Sequence, residues 1–370
     1  MISQLDWFIT KRMMSRILGV VFLFFCLIFL SESLDSWRFE TISRISGDAI
    51  AWLAVLTAAV RWSIKTLSIT VLLGAIVALV EFQSRREFVV MKASGISIWR
   101  IARGPILFVA MFGIFVTLIG EGVSTRINRE INPTPPGLGG GISRSTVDIW
   151  LQQTGSVSDT NIATNTNSAG SYFILAGSAR ENGSILRDVT IFPDAEDNIR
   201  RISAKRADHV PGFWNLTGVK VTRAGGAVQN MENYQISTRS TKGDLRVSLG
   251  STEDFTYFEL IDVLTSGVSD PAIRAAAATR LSKLTSLPLL LVGSLLIAFA
   301  FTAGYRRGNP FGMSIIYGII LGFIVFVITE MADRAGSSGV LQPQIATWGP
   351  AAISVLVGLS VLLKKEDGNA

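Results

Sequence analysis

The side chains best placed to do chemistry in this chain are charges beside long apolar runs. The first set lies in residues 85–97, RREFVVMKASGIS. Ser84 followed three residues later by Glu87 fits a capping box, in which two side chains satisfy backbone N–H groups at a helix start. Gly95 is placed to close the helix in a left-handed turn. The spacing predicts a short helix over about 84–95, with Phe88 and Met91 on a partly apolar face and Arg86 and Ser94 near its ends. Such a helix suits docking into a groove of another protein, with Glu87 pairing a cation there. The plainer alternative is that Glu87 only caps its helix and the basic segment lies on lipid headgroups. The second set is Arg61 and Lys65, four residues apart and so on one helical face. Ionisable groups on a membrane helix are candidate ligand contacts. The alternative is snorkelling, in which both anchor a helix end at the interface.

Other chemistries find little support. The chain has one histidine, His209, expected at the surface of a sheet, so no histidine cluster can ligate a metal. Its one cysteine, Cys26, cannot form a disulfide within the chain. There is no G-x-x-x-x-G-K-[ST] loop to cradle ATP, and the glycine run 139–141 lacks the lysine that follows in such loops. Neither carboxylates nor histidines cluster near the apolar runs, which counts against a membrane enzyme. No active site and no cofactor are expected, so energy must come from a partner.

The elements that position these charges are six apolar stretches, 13–30, 61–80, 105–120, 284–302, 312–329 and 346–363. Each approaches the ~20 residues that cross ~30 Å of hydrocarbon, where only a helix satisfies its own backbone. The composition agrees: 49% of the 370 residues are hydrophobic and 17% charged. The net charge of +6 collects at span ends rather than in a nucleic-acid-binding patch. Lys11, Arg12, Arg16, Arg85, Arg86 and Lys92 fall on one side, whereas Arg38 and Arg44 on the other are diluted by Asp35 and Glu40. The positive-inside rule then puts both termini in the cytoplasm and the block 121–280 outside. That block alternates like strands, as in YFIL at 172–175, with Gly, Asn, Asp and Pro between runs, and predicts an antiparallel sandwich or jelly roll. The organisation is therefore 1–128, a transmembrane half with the short cytoplasmic helix; 129–268, the outer β-domain; and 269–370, a second transmembrane half. Phe173, Leu175, Ile191 and Trp214 are candidates to line an apolar groove in the β-domain, with a plain core as the alternative. Pro105 is expected in the first turn of span three, and Gly318 with Gly322 offers a small-residue packing site in span five.

The segment 85–97 resembles the signature "sELvalraSGvs" of the LptF/LptG permeases of lipopolysaccharide export. The resemblance covers nearly the whole chain, including the three-plus-three layout, the FELIDVL helix and the closing LQP and ATWGP runs. The opening LDWFITKRMMSRIL is more similar to the LptG branch. The resemblance implies an ABC transporter permease of the bacterial inner membrane that extracts lipopolysaccharide. It implies a heterodimer with an LptF-like permease, a cytoplasmic LptB-like ATPase dimer that binds the ATP, an LptC-like single-span protein and a periplasmic LptA-like bridge. By position, Glu87 matches the acidic residue that pairs with an ATPase arginine. Arg61 matches a basic lipid A phosphate contact, often lysine in the family, and Arg38 is the nearest echo of further basic contacts. A membrane-anchored scaffold or sensor, without transport, is the alternative function.

Overall fold

A computed structural model describes residues 4–35, 39–40, 42–44, 47–131, 149–154, 171–180, 183–193, 199–223, 228–241, 244–245, 252–265, 271–302 and 311–367. The chain divides into two compact units, Met1–Asn128 with Ala278–Ala370, and Arg129–Ala277.

The first unit is helical. Its helices are α1 (Gln4–Ser33), α2 (Asp48–Lys65), α3 (Leu67–Ser84), the short α4 (Glu87–Ala93), and α5 (Ile98–Phe115), which runs through a π-turn (Val116–Gly120) into α6 (Glu121–Ile131). Beyond the sheet come α7 (Tyr257–Thr265), which belongs to the second unit, and then α8 (Pro271–Thr302), α9 (Phe311–Ser337) and α10 (Pro343–Asp367). Among the described residues, six helical stretches are long and apolar enough to cross a membrane: Asp6–Ser33, Leu67–Ser84, Ile98–Ile131, Pro271–Thr302, Ile316–Ser337 and Pro343–Lys364. Three precede the sheet and three follow it, as the apolar pattern predicts.

Some boundaries differ from expectation for local reasons. The second span starts at Leu67 rather than at 61, because the helix breaks at Thr66. The Thr66 hydroxyl donates to the Trp62 and Ser63 carbonyls, and Ser63 donates to Ala59, a back-bonding pattern that bends helices. Arg61 and Lys65 thus end α2. Pro105 does not open its helix. Ser97 is the N-cap, its hydroxyl accepting from the Arg100 N–H, and Pro105 lies inside α5.

Glycines let the spans touch. A Cβ on Gly74 would fall 2.7 Å from Ile17 Cα, and one on Gly113 would fall 2.8 Å from Pro288 Cα. The expected pair in span five meets α3: Gly322 faces Leu72, and Gly318 faces Ile76 and Phe301. In lipid, helices gain little from hydrophobicity towards each other, so such backbone approach supplies the packing.

Among the described residues, the second unit holds six antiparallel strands in the order β1-β2-β3-β4-β5-β6. They are Ile149–Thr154, Ser171–Arg180, Ile185–Pro193, Ile199–Val210, Phe213–Arg223 and Gln229–Ser237. Each pairs with its chain neighbour, so the described strands form one antiparallel sheet, as the alternation predicts. Pro211-Gly212 turns β4 into β5, with φ 87° at the glycine. The apolar alternation skips at one line. Ala176 and Ala179, Leu186 and Val189, Ala204 and Ala207, and Leu216 and Val219 are buried three apart instead of two. The skipped positions include Gly177, Asp188 (φ 51°), Lys205 and Gly218 (φ 68°). Aligned across neighbouring strands, they crease the sheet while keeping one face inward on both sides of the crease. His209 belongs to that core rather than to the surface. It is 8% exposed, its Nε2 lies 2.9 Å from the Ser240 carbonyl, and its ring is edge-on to Trp214.

The chain enters this unit at Arg129, which clamps Glu259 on α7. Arg129 Nη1 and Nη2 donate to the two carboxylate oxygens at 2.9 and 2.8 Å, and Nη2 also donates to the Asp254 carbonyl. The Thr256 N–H and hydroxyl both donate to Glu259 Oε2, at 2.9 and 3.0 Å. Chiefly through Arg129, the carboxyl is held at about 2 against an ordinary 4.5. A carboxylate with a depressed folded-state pKa stabilises fully above its unfolded value and loses that contribution as pH falls through the folded one. Thermal unfolding followed by sheet circular dichroism should therefore show a loss of stability on acidification from about pH 4.5 to about pH 2, and Glu259→Gln should flatten this part of the profile. An unchanged slope in the variant would refute the assignment.

Candidate functional site

Charged groups gather at both ends of α3. At its C-terminal end, α4 begins at Glu87 after Arg86, whose φ of 57° turns the chain sharply. The expected capping box does not form. The Ser84 hydroxyl donates to the Glu81 carbonyl, while the Glu87 carboxylate is held by Arg12, whose Nη1 donates to both oxygens at 2.9 Å. The helix ends with Gly95 at φ 77°, with the Ile96 N–H donating to the Met91 carbonyl and the Ser94 N–H to the Val90 carbonyl. That is the left-handed termination its glycine predicts.

The apolar face of α4 is divided differently from expectation. Phe88 is 2% exposed and packs into the helical core, with Met91 against the same cluster. Phe88 is therefore an internal anchor and not a free docking side chain. Among the described side chains, Val90 and Ala93 of α4 and the flanking Arg86, Ser94 and Gly95 are exposed.

At the other end of α3, Arg61 and Lys65 line one cleft together with Arg280 and Lys283 of α8, Glu121 of α6, and Glu330 and Asp333 of α9. Leu284, Leu287, Leu290 and Phe326 form its apolar walls. Arg280 and Glu121 form an ion pair whose side chains are 11% and 3% exposed. Lys283 Nζ lies 2.7 Å from Asp333 and 3.8 Å from Glu330. The Lys65 ammonium sits 4.8 Å from the Trp62 ring centroid. With four cations against three carboxylates among apolar walls, the cleft keeps a net positive charge that suits an amphiphile with an anionic head. Arg38 lies outside the described residues.

The four candidate groove residues do not share a face. Phe173 pairs with Phe192 and Ile174 with Ile191 across β2 and β3, so Phe173 and Ile191 point to opposite sides. Phe173 is 43% exposed, Leu175 is on its side of the sheet, and Ile191 and Trp214 are fully buried. The core reading holds for the latter two.

Several residues escape a reading of the sequence. Arg12, Arg16 and Glu81 read only as basic flank and span end, yet Arg12 and Arg16 both bind Glu81, at 3.1 and 2.6 Å. A lone acid at a span end, four residues before Arg85, was the available signal. Arg280, Lys283 and Glu121 carried none, because their grouping depends on how two helices far apart in the chain pack.

Residues 7–364 match the family model described as lipopolysaccharide export system permease LptF/LptG. The match is to the family as a whole and does not separate its two branches. No curated protein matches the chain.

The buried Arg280–Glu121 pair yields a stability test. Arg280→Met alone strands a buried carboxylate and should cost about 3–5 kcal/mol, while Arg280→Met with Glu121→Leu should recover most of it. Unfolding midpoints in detergent measure both. An equal loss in the single and double variants would show that the pairing is not what Arg280 contributes.

Proposed function

From the premise that the chain belongs to the LptF/LptG family, transport permeases of lipopolysaccharide export and not an enzyme family, we propose that it is an ABC transporter subunit drawing lipopolysaccharide from the inner membrane. One observation carries this reading: a short carboxylate-bearing helix and an apolar cleft lined by Arg61 and Lys65 stand at opposite ends of one membrane helix, α3. At 1.5 Å per residue, its 18 residues separate them by about 27 Å. An engine at one face of the membrane and a lipid headgroup at the other need this separation.

In this reading α4 faces the cytoplasm, as the positive-inside rule favours, and docks on an LptB-like ATPase dimer that binds the ATP. Glu87 meets a cation of the ATPase, while Arg86, Val90, Ser94 and Gly95 supply the accessible surface; Phe88 and Met91 hold α4 to the bundle. Arg61 meets a lipid A phosphate, as a charge whose planar fork suits bidentate contact. Lys65 lies one turn away on the same face. An LptF-like or LptG-like permease completes the dimer. The sheet unit, outside the membrane, hands the lipid to LptC-like and LptA-like partners.

Two measurements test the two ends separately. Glu87→Gln keeps the side chain's size and removes its charge, so co-purification of the ATPase and lipopolysaccharide export should both fall; wild-type behaviour in both would remove the ionic docking role. Arg61→Ala should weaken photocrosslinking to lipopolysaccharide with assembly intact. Unchanged crosslinking would leave Arg61 as a snorkelling anchor.

A further inference from the structure

The Glu87 carboxylate is already gripped from within the chain. Arg12 Nη1 donates to both of its oxygens, and Arg12 Nη2 donates to Glu81 Oε1 at 3.1 Å. The same guanidinium stands 5.2 Å from the Phe82 ring centroid. One turn along α1, Arg16 Nε lies 2.6 Å from Glu81 Oε2, and Arg85 lies 3.1 Å from Glu81 Oε1. One arginine of the first span therefore joins the end of α3 to the start of α4.

We propose that Arg12 is a positioning residue that carries displacement of α4 into α1. It holds Glu87 from the bundle side and leaves the carboxylate's outer side to a cation of the ATPase. The proposal rests on the reading of α4 as the ATPase-docking helix.

Three features support it. First, an ionised carboxylate has about four acceptor sites, and Arg12 occupies only part of them. The Glu87 side chain remains 32% exposed, against 21% for Arg12, so a second cation has a side from which to approach. Second, α4 is a seven-residue helix hung between two left-handed residues, Arg86 at φ 57° and Gly95 at φ 77°. A force applied at Glu87 passes through whatever holds Glu87. Phe88 adds contact with the core that includes Ile9 and Met13. Apolar contact is non-directional, whereas charge-assisted hydrogen bonds fix direction. Third, Arg12 is itself held on several sides, by Glu81, by Glu87 and by the Phe82 ring. Its α1 carries on to a face where Phe22, Leu23 and Leu27 stay 65%, 56% and 54% exposed. A shift of α1 therefore reaches whatever borders that face.

The test uses the full transporter, this chain with its paired permease and ATPase, in proteoliposomes loaded with lipopolysaccharide. Arg12→Gln, Arg12→Lys and Glu87→Gln are compared for ATPase co-purification, ATP hydrolysis and lipid released per ATP. Arg12→Gln should keep the ATPase and hydrolyse ATP within about twofold of wild type, while lipid released per ATP falls about tenfold, the size of a typical coupling between linked sites. Arg12→Lys keeps the charge without the fork and should recover part of the loss. Loss of the ATPase from Arg12→Gln, matching Glu87→Gln, would make Arg12 a mere holder of the docking helix and overturn the proposal. If Glu87→Gln loses the ATPase while Arg12→Gln releases normal lipid per ATP, the link alone falls. If Glu87→Gln assembles and transports normally, the docking reading falls and takes the link with it.

Discussion

Hydrocarbon offers no water to a backbone N–H or to a charged side chain, and most of this fold follows from that lack. The apolar stretches become helices because each satisfies its own backbone. The charges that the helices carry are drawn to their ends, where they pair. Glu81 binds Arg12, Arg16 and Arg85 at one end of α3. Beyond the other end, Glu121 binds Arg280, and Asp333 binds Lys283. The stretch between them consists of apolar contact and small-residue approach.

Pairing at the ends has a mechanical consequence. Glycines bring α1 against α3 at Ile17 and Gly74, and α5 against α8 at Gly113 and Pro288. Backbones this close transmit displacement instead of absorbing it, since packed interiors yield little. The helical regularity is interrupted elsewhere: at the bend at Thr66, the π-turn at Val116–Gly120, and the two left-handed residues flanking α4.

The sheet unit follows a different period, and two-residue alternation governs it. The crease through Asp188 and Gly218 shows how a regular pattern is broken to good effect. One skipped residue per strand, at matching positions, turns the sheet without turning its apolar face outward. A skip in a single strand would instead have sent half of that strand's core residues to the surface.

Much of this was legible along the chain. The six spans, the polar block between them, the helix-ending Gly95 and the close-packing pair Gly318 and Gly322 are local patterns, and local patterns follow from backbone geometry and hydropathy alone. Glu87 could be picked out as a charge in a significant place, but its partner could not: Arg12 lies 75 residues away, and the nearer Ser84 offered a plausible cap. The same holds for the cleft, whose cations come from helices that only the folded bundle brings together, and for Phe173 and Ile191, which register alone assigned to opposite faces. The residues alone determined which segments would be helix, strand or span. Tertiary packing decided which charges meet and which faces turn inward, because pairing depends on distance in space and many sequence separations are compatible with one periodicity.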